Sequence, residues 1–344
     1  MTRYPMDSIC IVMMSAVGDA VHVLPVVNAI KREHSAARIT WVLQPGPASL
    51  VGGHPAVDDI VMFDRSRGWR AFADVRRELM QRRFDLLLDL QVYFKAGLVT
   101  ALSGAPIRLG FDRPRARDMN WLFTNRRIPV NPVQHVQDQY FEFLAELGIS
   151  PDPVEWRLGP WEEELDWQSE WVARIGRPYA AIVVGTSKSD KDWIPERWAA
   201  VCDLLENEYG LRAVLVGGYS DREREAAARI LSVAKQPPFV ALGSGLRTLV
   251  SILDAASVVL APDTGPLHMS VALDRPVIGL IGYSDPRRTG PYRRFQDLVI
   301  DAYHDAGETT PVSMETRSGR MERIEVADVA RRLELWAERY RPKS

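Results

Sequence analysis

The segment Pro262-Asp263-Thr264-Gly265-Pro266-Leu267-His268 concentrates residues able to do chemistry. The apolar run Ser257 to Ala261 leads into it and predicts a strand, and a short helix is expected to begin near Pro266. Thr264 or Gly265 suits the N-cap, and Pro266 suits the first helical position, where a missing N–H costs nothing. Such a helix start offers unpaired N–H groups and about half a positive charge, which is a ready anion site. Asp263 would repel a bare phosphate, so a sugar hydroxyl is its natural partner. His268, in the first turn, can donate to a phosphate oxygen. A well-capped core helix accounts for Thr264, Gly265 and Pro266, but not for Asp263 together with His268. The residues predict a grip on a sugar that carries a diphosphate.

Two further loops follow predicted strands. Gly185-Thr186-Ser187-Lys188-Ser189-Asp190-Lys191-Asp192-Trp193 comes after the buried run Tyr179 to Val184. Its hydroxyls and lysines suit charge-assisted hydrogen bonds to phosphate, although the glycine spacing of a P-loop is missing. A solvated charged loop is the alternative. Asp190-Lys191-Asp192 spells the D-x-D triplet of metal-dependent sites, but the central lysine would repel a divalent cation, so no metal is expected. Ser15-Ala16-Val17-Gly18-Asp19 lies between a strand and a helix and lacks the G-x-G-x-x-G spacing of a dinucleotide site. Asp19 either caps that helix or acts as a general base toward a hydroxyl. His22, one turn on, reads as a helix-face residue.

The N-terminal half is locally basic. Residues 64 to 83 hold Arg65, Arg67, Arg70, Arg76, Arg77, Arg82 and Arg83, and residues 108 to 127 hold Arg108, Arg113, Arg115, Arg117, Arg126 and Arg127. Guanidinium groups suit bidentate recognition of carboxylate or phosphate, so an anionic ligand against this half is expected, with ordinary surface charge as the alternative for any one of them. Trp69, Phe72, Trp121 and Phe123 are interleaved and could pack either lipid or core.

The elements that must position these residues alternate. Short apolar runs at Ser8 to Ser15, Ile39 to Leu43 and Phe84 to Leu90 read as parallel strands, with helices at Ala20 to Arg32 and up to Arg83. The pattern restarts with strands at Tyr179 to Val184, Ala213 to Gly217, Ser257 to Ala261 and Val277 to Ile281, and helices at Pro195 to Glu208, Asp221 to Leu231 and Val326 to Tyr340. Such βαβ alternation predicts two doubly wound α/β domains, with ligands in a cleft at the carboxyl ends of both sheets. The join is expected in the Pro- and Trp-rich stretch Ser150 to Pro178. A chain of 344 residues also exceeds one ordinary core. Its 43 basic and 45 acidic residues balance to a net charge of −2, which gives no field toward nucleic acid. Cys10 and Cys202 sit in apolar stretches, excluding a disulfide framework or a cysteine zinc site and fitting a reducing cytoplasm. Between residues 8 and 30 only Asp19 is charged, yet Gly18 and Pro25 break the run, so a strand, turn and helix are expected rather than a signal peptide or membrane span.

V-G-D-A-V-H-V-L-P near the start, K-D-W followed by P-E-R-W in the middle, and D-T-G-P-L-H late in the chain resemble the heptosyltransferases of glycosyltransferase family 9. The similarity runs over nearly the whole chain and is nearest to the heptosyltransferase I group. It implies a GT-B fold of two Rossmann-like domains, with residues 1–160 binding the acceptor and carrying the base. Residues 161–344 would bind the donor, with the last helix free to pack back on the first domain. It further implies inverting, metal-independent transfer from ADP-heptose to the Kdo–lipid A inner core of lipopolysaccharide, with no cofactor beyond the nucleotide-sugar substrate. By motif, Asp19 corresponds to the catalytic base and Lys191 to the diphosphate lysine. Thr186, Ser187, Asp263, Thr264, Gly265 and His268 fall in the donor loops, and Arg65, Arg67, Lys95, Arg115 and Arg117 in stretches facing the anionic glycolipid. The family's donor-contacting glutamate is missing after Leu215-Val216-Gly217-Gly218, leaving Asp221 or Glu223 as its replacement. The expected setting is the cytoplasm, with peripheral contact at the inner membrane. Another nucleotide sugar or acceptor, a sugar-nucleotide epimerase of the same build, or a two-lobed binding protein are the rival readings.

Overall fold

The computed structural model describes residues 4–342, which form two six-stranded sheets, each parallel throughout. Contacts divide the described residues into an N-terminal unit, residues 4–157 without 133–135, and a C-terminal unit of residues 133–135 and 158–342.

The N-terminal unit runs β1 (Ser8–Val12), α1 (Val17–Glu33), β2 (Arg38–Leu43), α2 (Pro45–Val51), β3 (Asp59–Met62), α3 (Trp69–Leu79), β4 (Leu86–Asp89), α4 (Phe94–Leu102), β5 (Ile107–Gly110), β6 (Arg126–Arg127) and α5 (Val136–Leu147). Its strand order is β3-β2-β1-β4-β5-β6. Central strands are buried along nearly their whole length, as expected when helices cover both faces. β1 is shorter than its apolar run: pairing ends with Val12 beside Asp89, and Met13 to Ser15 leave the sheet. The helix expected to reach Arg83 ends at Leu79.

The C-terminal unit continues with α6 (Leu165–Ile175), β7 (Tyr179–Val183), α7 (Pro195–Tyr209), β8 (Arg212–Val216), α8 (Asp221–Val233), β9 (Phe239–Val240), α9 (Leu246–Ala255), β10 (Val258–Pro262), α10 (Gly265–Ala272), β11 (Val277–Ile281), α11 (Pro286–Thr289), β12 (Ile300–Asp301) and α12 (Val326–Arg339). Its order, β12-β11-β10-β7-β8-β9, repeats the same reversal of winding. β10 and β7 are adjacent at the centre, so the loops following them lie side by side at the carboxyl end of the sheet. α12 packs on α7, β11 and β12 of its own unit. The Pro- and Trp-rich stretch is pinned by Arg247, which bonds Leu158 O and Glu164 and lies 3.5 Å over the Trp161 ring. Gly159, at φ 100°, is required there, because a Cβ would stand 2.6 Å from the Arg247 guanidinium. Among the described residues no helix is long and apolar enough to cross a membrane.

Candidate active site

In the C-terminal unit, Lys191 and Asp263 meet. Lys191 Nζ lies 2.7 Å from Asp263 Oδ2 and 3.2 Å from the Asp263 carbonyl oxygen. The same carboxylate oxygen accepts the buried Ser284 hydroxyl and the Thr289 hydroxyl at 3.2 Å, and His268 Nε2 stands 3.8 Å from Oδ1. Thr264 is the N-cap of α10 through its backbone alone, which makes Gly265 the first helical residue and puts Pro266 one place later than expected. Burial drives the His268 pKa down to about 3, with help from His135 and Lys191, so the imidazole is neutral near pH 7. A neutral ring still offers one N–H donor.

The loop after β7 is fixed from within. Asp192 accepts the Thr186 N–H and hydroxyl at 2.9 and 2.8 Å and pairs with Arg222 at 2.7 Å. Asp190 instead accepts Ser318 Oγ, so the D-x-D carboxylates turn to separate partners around a lysine committed to Asp263. Lys188 reaches the Tyr283 hydroxyl at 3.3 Å, and Ser187 is exposed at the loop tip. Asp221 points to solvent beside Arg224. Glu223 turns inward: it accepts Gly218 N at 2.6 Å and Ser220 N at 3.0 Å as the third residue of a capping box. Its chain fills the space left by missing side chains, since a Cβ on Gly185 would lie 2.3 Å from Glu223 Cγ.

In the N-terminal unit, Asp19 is the third residue of α1, not its N-cap; Ala16 holds that place. Asp19 Oδ2 accepts Ala16 N at 2.9 Å, and Oδ1 accepts the Tyr140 hydroxyl at 3.2 Å. His22 is buried one turn on and bonds Gln137 of α5, a helix-packing role. Arg65, Arg67, Lys95 and Arg117 are exposed, and Arg67 pairs with Asp74 at 2.7 Å. Arg115 differs from these four in its exposure. Its guanidinium is buried between Asp112 and Glu142 and donates to Pro129 O, so it braces the fold. Asp89 ends β4 fully buried, and desolvation lifts its pKa to about 7 against opposing bonds from Asn120, Thr100 and Gln91 N.

Residues 72–315 match the profile of glycosyltransferase family 9 (heptosyltransferase). The chain belongs to glycosyltransferase family 9. It is 29% identical over 301 residues to the lipopolysaccharide core heptosyltransferase OpsX of Haemophilus influenzae, covering 87% of this chain and 85% of the relative. The E. coli heptosyltransferase WaaC with ADP superposes with a TM-score of 0.74 at 25% identity, over 97% of this chain and 99% of that one. A family 9 glycosyl transferase of Veillonella parvula gives 0.81 at 19% identity, over 97% and 98%. The two-sheet architecture is therefore the GT-B fold, and the protein is a glycosyltransferase.

Several residues of this glycosyltransferase's candidate site escaped the sequence reading. Ser284 and Thr289 follow β11 and have no motif of their own; only the fold carries them to Asp263. Gln91 and Tyr140 reach the Asp19 loop from β4 and α5. Glu223, already a candidate beside Asp221, left a further signal, because Gly185, Gly217 and Gly218 clear the room that its side chain occupies.

Proposed function

We propose that this glycosyltransferase moves a heptose from ADP-heptose to the Kdo–lipid A inner core of lipopolysaccharide, with inversion and without a metal. The observation that carries the reading is the meeting of Lys191 and Asp263 at the N-terminus of α10, where a diphosphate and its sugar would find a cation, the positive end of a helix and a carboxylate. The named relatives, a lipopolysaccharide core heptosyltransferase and a heptosyltransferase solved with ADP, support the sugar and the nucleotide. In this reading residues 161–344 bind the donor through Thr186, Ser187, Lys191, Asp263, Thr264, Gly265 and His268. Glu223, which turns inward, fits the missing glutamate's part better than Asp221. Lys191, the α10 start and His268 stabilise charge growing on the leaving diphosphate, the electrostatic task that usually contributes most.

Residues 1–160 bind the acceptor. Asp19 accepts the proton of the acceptor hydroxyl as its oxygen attacks the anomeric carbon. Arg65, Arg67, Lys95 and Arg117 meet the anionic glycolipid, while Arg115 is held between Asp112 and Glu142. Exposed Trp69, Tyr93, Phe94, Met119 and Leu122 among these cations support peripheral contact with the cytoplasmic face of the inner membrane.

The test pairs binding with turnover. ADP-heptose should raise the melting temperature more than UDP- or GDP-sugars do, and mass spectrometry should show one heptose added to Kdo–lipid A. Turnover of donor alone to an epimer, or stabilisation by UDP-sugars only, would overturn the reading. Asp19→Asn should fold normally and lose at least about a hundredfold in rate, the scale of general-base catalysis.

A further inference from the structure

We infer that Gln91 is a positioning residue for Asp19, acting through the Ser15–Ala16 peptide group. This rests on the reading of Asp19 as the general base. Gln91 stands just past the end of β4, where the chain has left the sheet and main-chain pairing with β1 has stopped. Its carboxamide takes over that pairing. Gln91 Oε1 accepts Met14 N at 3.0 Å, and Gln91 Nε2 donates to Ser15 O at 2.6 Å. The oxygen of Ser15 and the N–H of Ala16 belong to one peptide group, and that N–H donates to Asp19 Oδ2 at 2.9 Å. A planar amide cannot turn its oxygen without turning its N–H. By holding the oxygen, Gln91 aims the N–H at the carboxylate, and a hydrogen bond on the oxygen also polarises the amide into a better donor.

On its other side the loop is tied to β2, with Gln44 N donating to Met14 O at 2.9 Å and Trp41 Nε1 to Met13 O at 3.1 Å. Removing Gln91 therefore frees one edge of the loop while the other stays anchored. Gln91 itself is half-buried and lies outside the apolar cluster that holds Cys10, Phe84 and Leu87, so its deletion should leave the sheet intact.

Gln91→Met keeps the length without the hydrogen bonds, and Gln91→Ala removes both. Each should fold with a melting temperature near that of the parent and lower kcat about ten- to a hundredfold, the scale of a small misplacement of a catalytic group. Donor and acceptor KM should change little. The acid limb of the kcat–pH profile should move to higher pH, because the ionised form of Asp19 loses its aimed donor. An unchanged kcat and pH profile would overturn the inference, as would a loss seen only in KM. Variants that lose transfer merely in proportion to lost folded protein would make Gln91 a scaffold residue and overturn it too. Asp19→Asn, run alongside, separates the two ideas. If it keeps near-normal transfer, the base reading fails; if it is inactive while the Gln91 variants behave as parent, only the positioning role fails.

Discussion

Replacing Lys191 with methionine removes the cation facing Asp263 and tests whether the two residues work as a pair. The Nζ–Oδ2 distance is 2.7 Å, and the side chains are 18% and 8% exposed. At that distance the gross attraction is about 6 kcal/mol for an effective dielectric constant of about 20. Desolvation offsets much of it, and breaking a fully buried pair costs about 3–5 kcal/mol. Lys191 is partly exposed, and Ser284 and Thr289 go on donating to the orphaned carboxylate. The expected loss is therefore about 2–3 kcal/mol, a fall of roughly 4–12 °C for a unit of this size. Asp263→Asn in the same background removes the uncompensated charge and should recover most of that loss, giving a coupling of about 2 kcal/mol. Urea unfolding followed by circular dichroism on all four proteins measures the cycle. Transfer should fall about 10²–10³-fold in Lys191→Met and stay low in the double variant, because the leaving diphosphate still lacks its cation. Additive stabilities would refute the pairing. Recovered transfer in the double variant would refute the diphosphate role and leave Lys191 as a mere counter-ion.

Three other outcomes follow from the geometry. Asp89 binds its proton more tightly folded than unfolded, so its stabilisation is complete below about pH 4 and is lost as pH rises through about 7. Relative to Asp89→Asn, the parent should lose about 3 kcal/mol between pH 5 and pH 8 in urea titrations, and a parallel pH dependence of the two proteins would contradict the buried acid. Arg115→Met strands Asp112 and Glu142 and should cost about 3–5 kcal/mol of stability in denaturant melts, with acceptor KM unchanged in whatever folds. Gly185→Ala drives a Cβ into Glu223 Cγ and should break the α8 cap, costing about 1 kcal/mol and weakening ADP-heptose in a binding titration.

The sequence by itself determined the signals that act over a few residues. Apolar runs placed β7, β8, β10 and β11 to within a residue or two, and the Pro-containing start of α10 was legible from Thr264 to Pro266. Alternation of strand and helix determined two doubly wound sheets, and the motifs around Asp19, Lys191 and Asp263 determined the family. What only the tertiary structure decided lies where distant segments converge. Asp263 looked like an isolated carboxylate; its lysine is 72 residues away, and Ser284 and Thr289 arrive from a different loop. Arg115 was expected among the acceptor-facing cations, and only α5 coming alongside supplies the Glu142 that buries it. Asp221 and Glu223 were equivalent in sequence, and the glycines at the ends of β7 and β8 decided which one turns inward. Local propensity and capping are settled by neighbours in the chain. A polar group's partner is settled by strand order, and strand order is set by burial of the whole sheet.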